Sequence, residues 1–200
     1  MGRHTVFRYW ESAFPPQLCD LILSLGDGAE TRKAKLRPDA GKDYIDESIR
    51  RTDLHFWDPT HWVSGLIMHY AQWANTEIWN YRLSHTQGVQ FGRYGVGGTY
   101  DWHKDEFDQP FGEEAPPVWR GLSRKLSAVV NLSDPGDYDG GELLFKDTYG
   151  NQVEDESVLA ATRQRGSVVV FPAYTPHTVA PVKRGVRYSL VSWILGPPFC

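Results

Sequence analysis

Hydrophobic and polar positions follow two different periods along the chain. In the first third, apolar residues recur at helical spacing. Leu18, Leu21, Ile22 and Leu25 follow Pro15-Pro16, and the series stops at Gly26. Proline suits the first turn of a helix and glycine its end, so this pattern predicts a short helix. Asp58-Pro59 reads as an N-cap followed by proline at the first helical position. Trp62, Leu66, Tyr70 and Trp73 then mark one face of a second helix that ends near Asn75. That stripe reads as packing against a sheet rather than as a ligand box. Between the helices, the polar stretch from Asp27 to Glu47 has no period and leaves two readings, an exposed hairpin or a mobile loop.

After residue 78 the period shortens. Strand-forming runs alternate with Gly, Pro and Asp turns, and the candidates are Gln87–Tyr94, Thr99–His103, Arg124–Leu132, Glu142–Lys146, Val158–Thr162, Ser167–Phe171 and Val186–Ile194. Helices first and many short strands after predict an α+β chain built on an antiparallel sandwich or jelly roll. The expected organisation is one domain over 1–200, with a helical N-terminal part over about 1–78 and a β core over about 79–196. The segment from Glu106 to Arg120, rich in Pro, Gly and acids, reads as a long loop that suits a lid.

Composition adds bounds. With 200 residues, 40% hydrophobic and 23% charged, the chain can bury a core without staples. The net charge of -4 argues against a nucleic-acid partner. Arg32, Lys33, Lys35, Arg37, Arg50 and Arg51 form a basic stretch that reads as solvated loops or strand edges, with a substrate-facing surface as the other reading. Cys19 and Cys200 make no disulfide framework, so a reduced, cytoplasmic protein is expected. Met1 to Phe14 lacks an apolar signal core, and no segment is long enough to span a membrane.

The chemistry begins at Trp102-His103-Lys104-Asp105. Residues two apart on an extended chain point the same way, so His103 and Asp105 can meet one metal ion while Lys104 points away. His-x-Asp alone also arises by chance. Pro176-His177 follows the apolar run Val168–Phe171, and a sandwich can return it beside His103. Two His and one carboxylate on one face of an ion make the triad of non-haem iron oxygenases and leave positions open. The plainer reading is a histidine that ends a strand and bonds a carbonyl. Arg187 and Ser189 share a face of the last strand with Val191 and Trp193. A planar guanidinium there suits the far carboxylate of a dicarboxylate co-substrate. A surface strand charge is the alternative for Arg187. The chain has no Gly-x-Ser-x-Gly, Walker loop or His-Glu-x-x-His.

His103-x-Asp105, His177 and Arg187 ten residues later resemble the prolyl-4-hydroxylase-like branch of the iron(II)/2-oxoglutarate oxygenases, and among these the bacterial PKHD-type hydroxylases. Gln90-Phe91-Gly92-Arg93-Tyr94, Gly97 to His103, Asn131-Leu132-Ser133-Asp134-Pro135, Gly140-Gly141-Glu142-Leu143 and Arg187 to Ile194 extend the resemblance over about Val6 to Phe199. It implies a double-stranded β-helix of antiparallel strands buttressed by N-terminal helices. It also implies Fe(II) on His103, Asp105 and His177, with 2-oxoglutarate and O2 as co-substrates and ascorbate as reductant. Arg187, Ser189, Tyr94 and Asn131 would bind 2-oxoglutarate, and Trp193 would stand beside the pocket. The implied reaction is hydroxylation of a prolyl or other side chain of a protein or peptide. Alternatives are a free amino acid, a small metabolite or a nucleobase, or a non-oxidative metal-binding jelly roll. Two departures bear on this. Some members use Lys where this chain has Arg187, and some continue into a helical extension beyond the point where this sequence stops.

Overall fold

The computed structural model describes residues 6–27, 32–33, 50–153 and 155–199. Most of the Asp27–Glu47 stretch, with Lys35 and Arg37, and Cys200 lie outside them. In chain order the elements are strand Arg8–Trp10 (β1), helix Pro16–Asp27 (α1), strands Arg32–Lys33 (β2), Arg50–Arg51 (β3) and Asp53–Trp57 (β4), and helix Trp62–Ala74 (α2). There follow Thr86–Tyr94 (β5), Thr99–His103 (β6), Ser123–Asn131 (β7), Tyr138–Gly140 (β8) and Leu143–Phe145 (β9). Helix Glu156–Arg163 (α3) precedes Val168–Pro172 (β10), His177–Val179 (β11), Val182–Gly185 (β12) and Arg187–Gly196 (β13).

The strands make a large sheet in the order β1-β10-β7-β13-β5-β4-β2 and a smaller one in the order β3-β6-β11-β9, with β12 paired to β8. The pairs are antiparallel throughout. Strand alternation splits the large sheet into two faces with different tasks. Val89 and Phe91 of β5, Leu126, Ala128 and Val130 of β7, Val168 and Val170 of β10 and Leu190 and Ile194 of β13 pack against Cys19 and Ile22 of α1 and Val63, Ile67 and Ala71 of α2. The residues between them, including Tyr94, Val129, Val169 and Phe171, face Leu143, Phe145 and Val179 of the smaller sheet. One face is thus sealed by helices, and the other lines the space between the sheets.

The architecture is the expected antiparallel jelly roll, with local corrections. Val158–Thr162, expected as a strand, lies in α3, where the Asp155 side chain accepts from the Ser157 and Val158 amides at the helix start. His177, expected at the end of the Val168–Phe171 strand, instead opens its own strand after a turn at residues 173–176. The helix faces are turned from the expected ones. On α1 the buried residues are Cys19, Ile22 and Gly26, and on α2 Trp62 and Trp73 are 43% and 46% exposed while Val63, Ile67 and Ala71 are buried. Asp58 bonds Thr60 in a turn before α2, and His61 rather than Asp58 stands at the cap. The N-terminal part also contributes strands β1 to β4 to the sheets. No helix among the described residues is long and apolar enough to cross a membrane.

Candidate active site

Strand pairing brings the distant histidines together. His103 ends β6, His177 opens β11, and the two are direct partners in the antiparallel register. Asp105 follows two residues later, where its amide and that of Glu106 both donate to the Ala173 carbonyl. His103 Nε2 lies 3.8 Å from Asp105 Oδ1, and His177 Nε2 lies 3.5 Å from Asp105 Oδ2. One donor atom from each of the three falls within 4.8 Å of the others. Lys104 stays exposed, as alternation requires.

The orientation of these groups is fixed from behind. His103 Nδ1 sits 2.7 Å from the Asp101 carbonyl and His177 Nδ1 2.9 Å from the Thr175 carbonyl. A carbonyl only accepts, so each Nδ1 carries its hydrogen and each Nε2 presents a lone pair to the centre. Ser127 Oγ donates to Asp105 Oδ2 at 2.7 Å, and Arg124 Nη1 donates to the Asp105 carbonyl at 3.1 Å. The Tyr100 ring stacks on His103 with centroids 3.4 Å apart, and Phe171 meets His177 edge-on at 4.7 Å.

Electrostatics favour the ligand forms of these residues. Burial, then the neighbouring His177, push the His103 imidazole down to about 3 against the pull of Asp105. Burial acts to raise the Asp105 carboxyl, but His177, His103, Arg124 and the Ser127 hydrogen bond together bring it down to about 2. A neutral imidazole and an ionised carboxylate are what a divalent ion needs.

The ligand cluster opens on a cavity of about 390 Å³, its mouth included, lined among others by Tyr94, Tyr100, Arg187, Ser189 and Trp193. On β13, Arg187, Ser189, Val191 and Trp193 share the inner face, in register with Tyr94, Gly92 and Gln90 of β5 on one side and Asn131, Val129 and Ser127 of β7 on the other. Arg187 is 3% exposed, yet its Nη1 has no hydrogen-bond partner among the described residues. Its guanidinium lies 5.5 Å from the Tyr94 ring centroid. Gly141 makes room for it, since at φ +67 a Cβ there would stand 2.9 Å from Arg187 Cδ.

Asn131 is placed differently from the rest. Its Nδ2 is committed to the Ser133 and Arg163 carbonyls, and it lines a smaller pocket on the far side of Arg187. The Glu106–Arg120 segment forms a loop after Asp105, with a short turn at Pro117–Trp119 and an aromatic cluster of Phe107, Phe111 and Trp119. The contributors absent from the sequence expectation include Tyr100, Arg124, Ser127, Gln90 and, as a buried group, Arg50. Ser127 and Gln90 had a signal, a polar residue in the inward phase of an apolar strand. Arg50 had none, because it belongs to a run that looks like surface charge.

The donor set fits a divalent ion with open positions, because two imidazoles and a carboxylate occupy one side and the cavity the other. The orphaned Arg187 Nη1 fits a carboxylate at the far end of the same cavity. The family model of the 2OG-Fe(II) oxygenase superfamily matches residues 89–195, the segment that carries all these groups except Arg50. A PKHD-type hydroxylase of Klebsiella pneumoniae subsp. pneumoniae is 39% identical over 104 residues, covering 52% of this chain and 41% of that protein. One of Pseudomonas putida (strain W619) is 41% identical over 101 residues, covering 50% and 39%. The chain thus matches about two fifths of the length of these curated relatives. Among solved structures, a Pseudomonas putida prolyl-4-hydroxylase matches with a TM-score of 0.64 and 22% identity, over 94% of this chain and 91% of that one. A Trichoplax adhaerens prolyl hydroxylase in complex with a hypoxia inducible factor peptide fragment matches with a TM-score of 0.69 and 15% identity, over 96% and 84%. These structural likenesses concern the fold. On the family match and the ligand geometry together, the chain belongs to the 2OG-Fe(II) oxygenase superfamily.

Proposed function

We propose that this chain is a 2-oxoglutarate-dependent dioxygenase that hydroxylates a C–H bond of a prolyl or other side chain in a protein or peptide. The observation that carries the reading is a single cavity with His103, Asp105 and His177 at one part of its wall and, at another, Arg187, whose Nη1 has no hydrogen-bond partner among the described residues. The side-chain substrate is supported by relatives named as PKHD-type hydroxylases and by structural neighbours named as prolyl hydroxylases.

In this reading His103 Nε2, the Asp105 carboxylate and His177 Nε2 hold Fe(II). Iron and 2-oxoglutarate supply the oxidising power: with O2 the co-substrate becomes succinate and CO2, one oxygen atom entering succinate and the other the substrate. Arg187 takes the far carboxylate of 2-oxoglutarate through its planar fork, with the Ser189 and Tyr94 hydroxyls on the same inner face. Asn131, whose amide nitrogen is held by backbone carbonyls, steadies the wall beside Arg187. Ser127 and the two carbonyl-bonded Nδ1 groups hold the ligand set in one geometry, so little reorganisation accompanies metal binding. No side-chain nucleophile is required. Ascorbate serves as the external reductant that keeps iron ferrous.

Anaerobic calorimetry tests the reading. Fe(II) should bind the wild-type protein, and 2-oxoglutarate should bind only after the metal. Metal binding without any 2-oxoglutarate affinity would instead support a non-oxidative metal site.

A further inference from the structure

Four side chains that line the cavity each carry a buried polar atom with no hydrogen-bond partner among the described residues: Arg187 Nη1, Arg50 Nε, Gln90 Oε1 and Trp193 Nε1. The co-substrate carboxylate accounts for the first. The other three sit elsewhere on the wall. Arg187 is level with Tyr94 on β5, whereas Gln90 is level with Val191, four residues or about 13 Å of strand away. Trp193 lies further in the same direction and pairs with Ser127, the residue that holds Asp105. Arg50 comes from the opposite sheet. It pairs with Tyr100, and its guanidinium lies 4.3 Å from the centroid of that ring, which in turn stacks on His103. Arg50, Gln90 and Trp193 therefore stand around the ligand end of the cavity, away from the Arg187 level.

Charge narrows what they await. Arg50 is 7% exposed and a guanidinium does not deprotonate, so its charge is buried. In the loaded site the divalent ion and the dianionic co-substrate cancel, the ligand imidazoles are neutral, and Asp105 offsets only one of Arg50 and Arg187. Among the described residues that line the cavity one positive charge therefore remains, with only the Tyr100 ring against Arg50, and a buried charge without an anionic partner is costly. Water can satisfy Gln90 or Trp193, but it cannot neutralise Arg50.

We infer that Arg50, Gln90 and Trp193 form the substrate anchor, and that it takes a carboxylate on a free amino acid or on an acidic side chain or C-terminus of a peptide. Arg50 and Trp193 donate to the carboxylate, and Gln90 Oε1 accepts from a neighbouring N–H. The inference rests on the reading that iron and 2-oxoglutarate fill the rest of the cavity.

The test uses zinc-loaded protein saturated with 2-oxoglutarate, which binds substrate without turning it over. Calorimetry compares N-acetyl-L-amino acids with their neutral methylamides, the free L-amino acids, and glycine-flanked peptides with an internal Asp or Glu. The expected result is that a carboxylate probe binds at least about tenfold more tightly than its neutral counterpart. Arg50→Met should erase that preference and Arg50→Lys restore part of it, with 2-oxoglutarate affinity unchanged in both. Tight binding in the free amino-acid arm or in the acidic-peptide arm identifies the source of the carboxylate. Equal binding of charged and neutral probes, a preference that survives Arg50→Met, or no binding by any carboxylate probe overturns the inference. Failure of 2-oxoglutarate itself to bind is a separate result, which overturns the functional reading.

Discussion

Ser127 and Asp105 are joined by a 2.7 Å hydrogen bond in which the hydroxyl donates to Oδ2, linking the inner face of β7 to the second residue after β6. Ser127 is fully buried and Asp105 nearly so, so this bond sets the carboxylate rotamer without competition from water. Ser127→Ala should lower metal affinity by about 10- to 100-fold while the fold persists. Metal titration of the variant checks this, with far-UV circular dichroism as the control. Wild-type affinity would mean that Asp105 is held by other means.

In the proposed reading Arg187 serves co-substrate binding and not metal binding. Arg187→Ala should cut 2-oxoglutarate affinity by about 10- to 100-fold, the size of a lost charge-assisted contact, and Arg187→Lys should cut it less. Neither should change metal affinity. Because Arg187 Nη1 has no hydrogen-bond partner among the described residues, removing it should cost little thermal stability in the absence of co-substrate. Anaerobic titrations and a melting curve read the three quantities independently.

Gly141 supports Arg187 at one remove. At φ +67 any L side chain is strained by about 1–2 kcal/mol, and a Cβ would press on Arg187 Cδ. Gly141→Ala should therefore lower the melting temperature and also weaken 2-oxoglutarate binding. Loss of stability with unchanged co-substrate affinity would show that the guanidinium tolerates the displacement.

Lys104 lies between the two proposed ligands His103 and Asp105 in sequence but not in space. It is exposed while Asp105 is 6% exposed, so Lys104→Ala should bind Fe(II) as wild type does and Asp105→Ala should lose it. Metal content after anaerobic loading and desalting distinguishes the two variants. Comparable losses in both would contradict the strand geometry proposed for the ligands.

The proposed ligand set was only partly legible from local pattern: His103 and Asp105 lie two apart on an extended chain and Arg187 shares a strand face with Val191 and Trp193, whereas His177 meets them only through the pairing of β11 with β6. What could not be read depends on distant segments meeting. Arg50 looks like one more cation in a basic run until β3 pairs with β6 and buries it over Tyr100. The buried helix faces differ from the expected ones because large aromatics dominate a hydrophobic count. Trp62 and Trp73 remain half exposed while smaller residues, Val63, Ile67 and Ala71, pack in the core with the sheet. Val158–Thr162 is a short apolar run, for which periodicity alone does not separate strand from helix, and the Asp155 cap decides it.

The most direct measurement is succinate formation from 2-oxoglutarate under air, with Fe(II) and ascorbate, in the wild-type protein and in His103→Ala. The expected result is slow succinate release by the wild type without added substrate, lost in His103→Ala. Succinate formation that persists at the wild-type rate in His103→Ala, or wild-type protein that neither forms succinate nor binds 2-oxoglutarate anaerobically, would contradict the assignment.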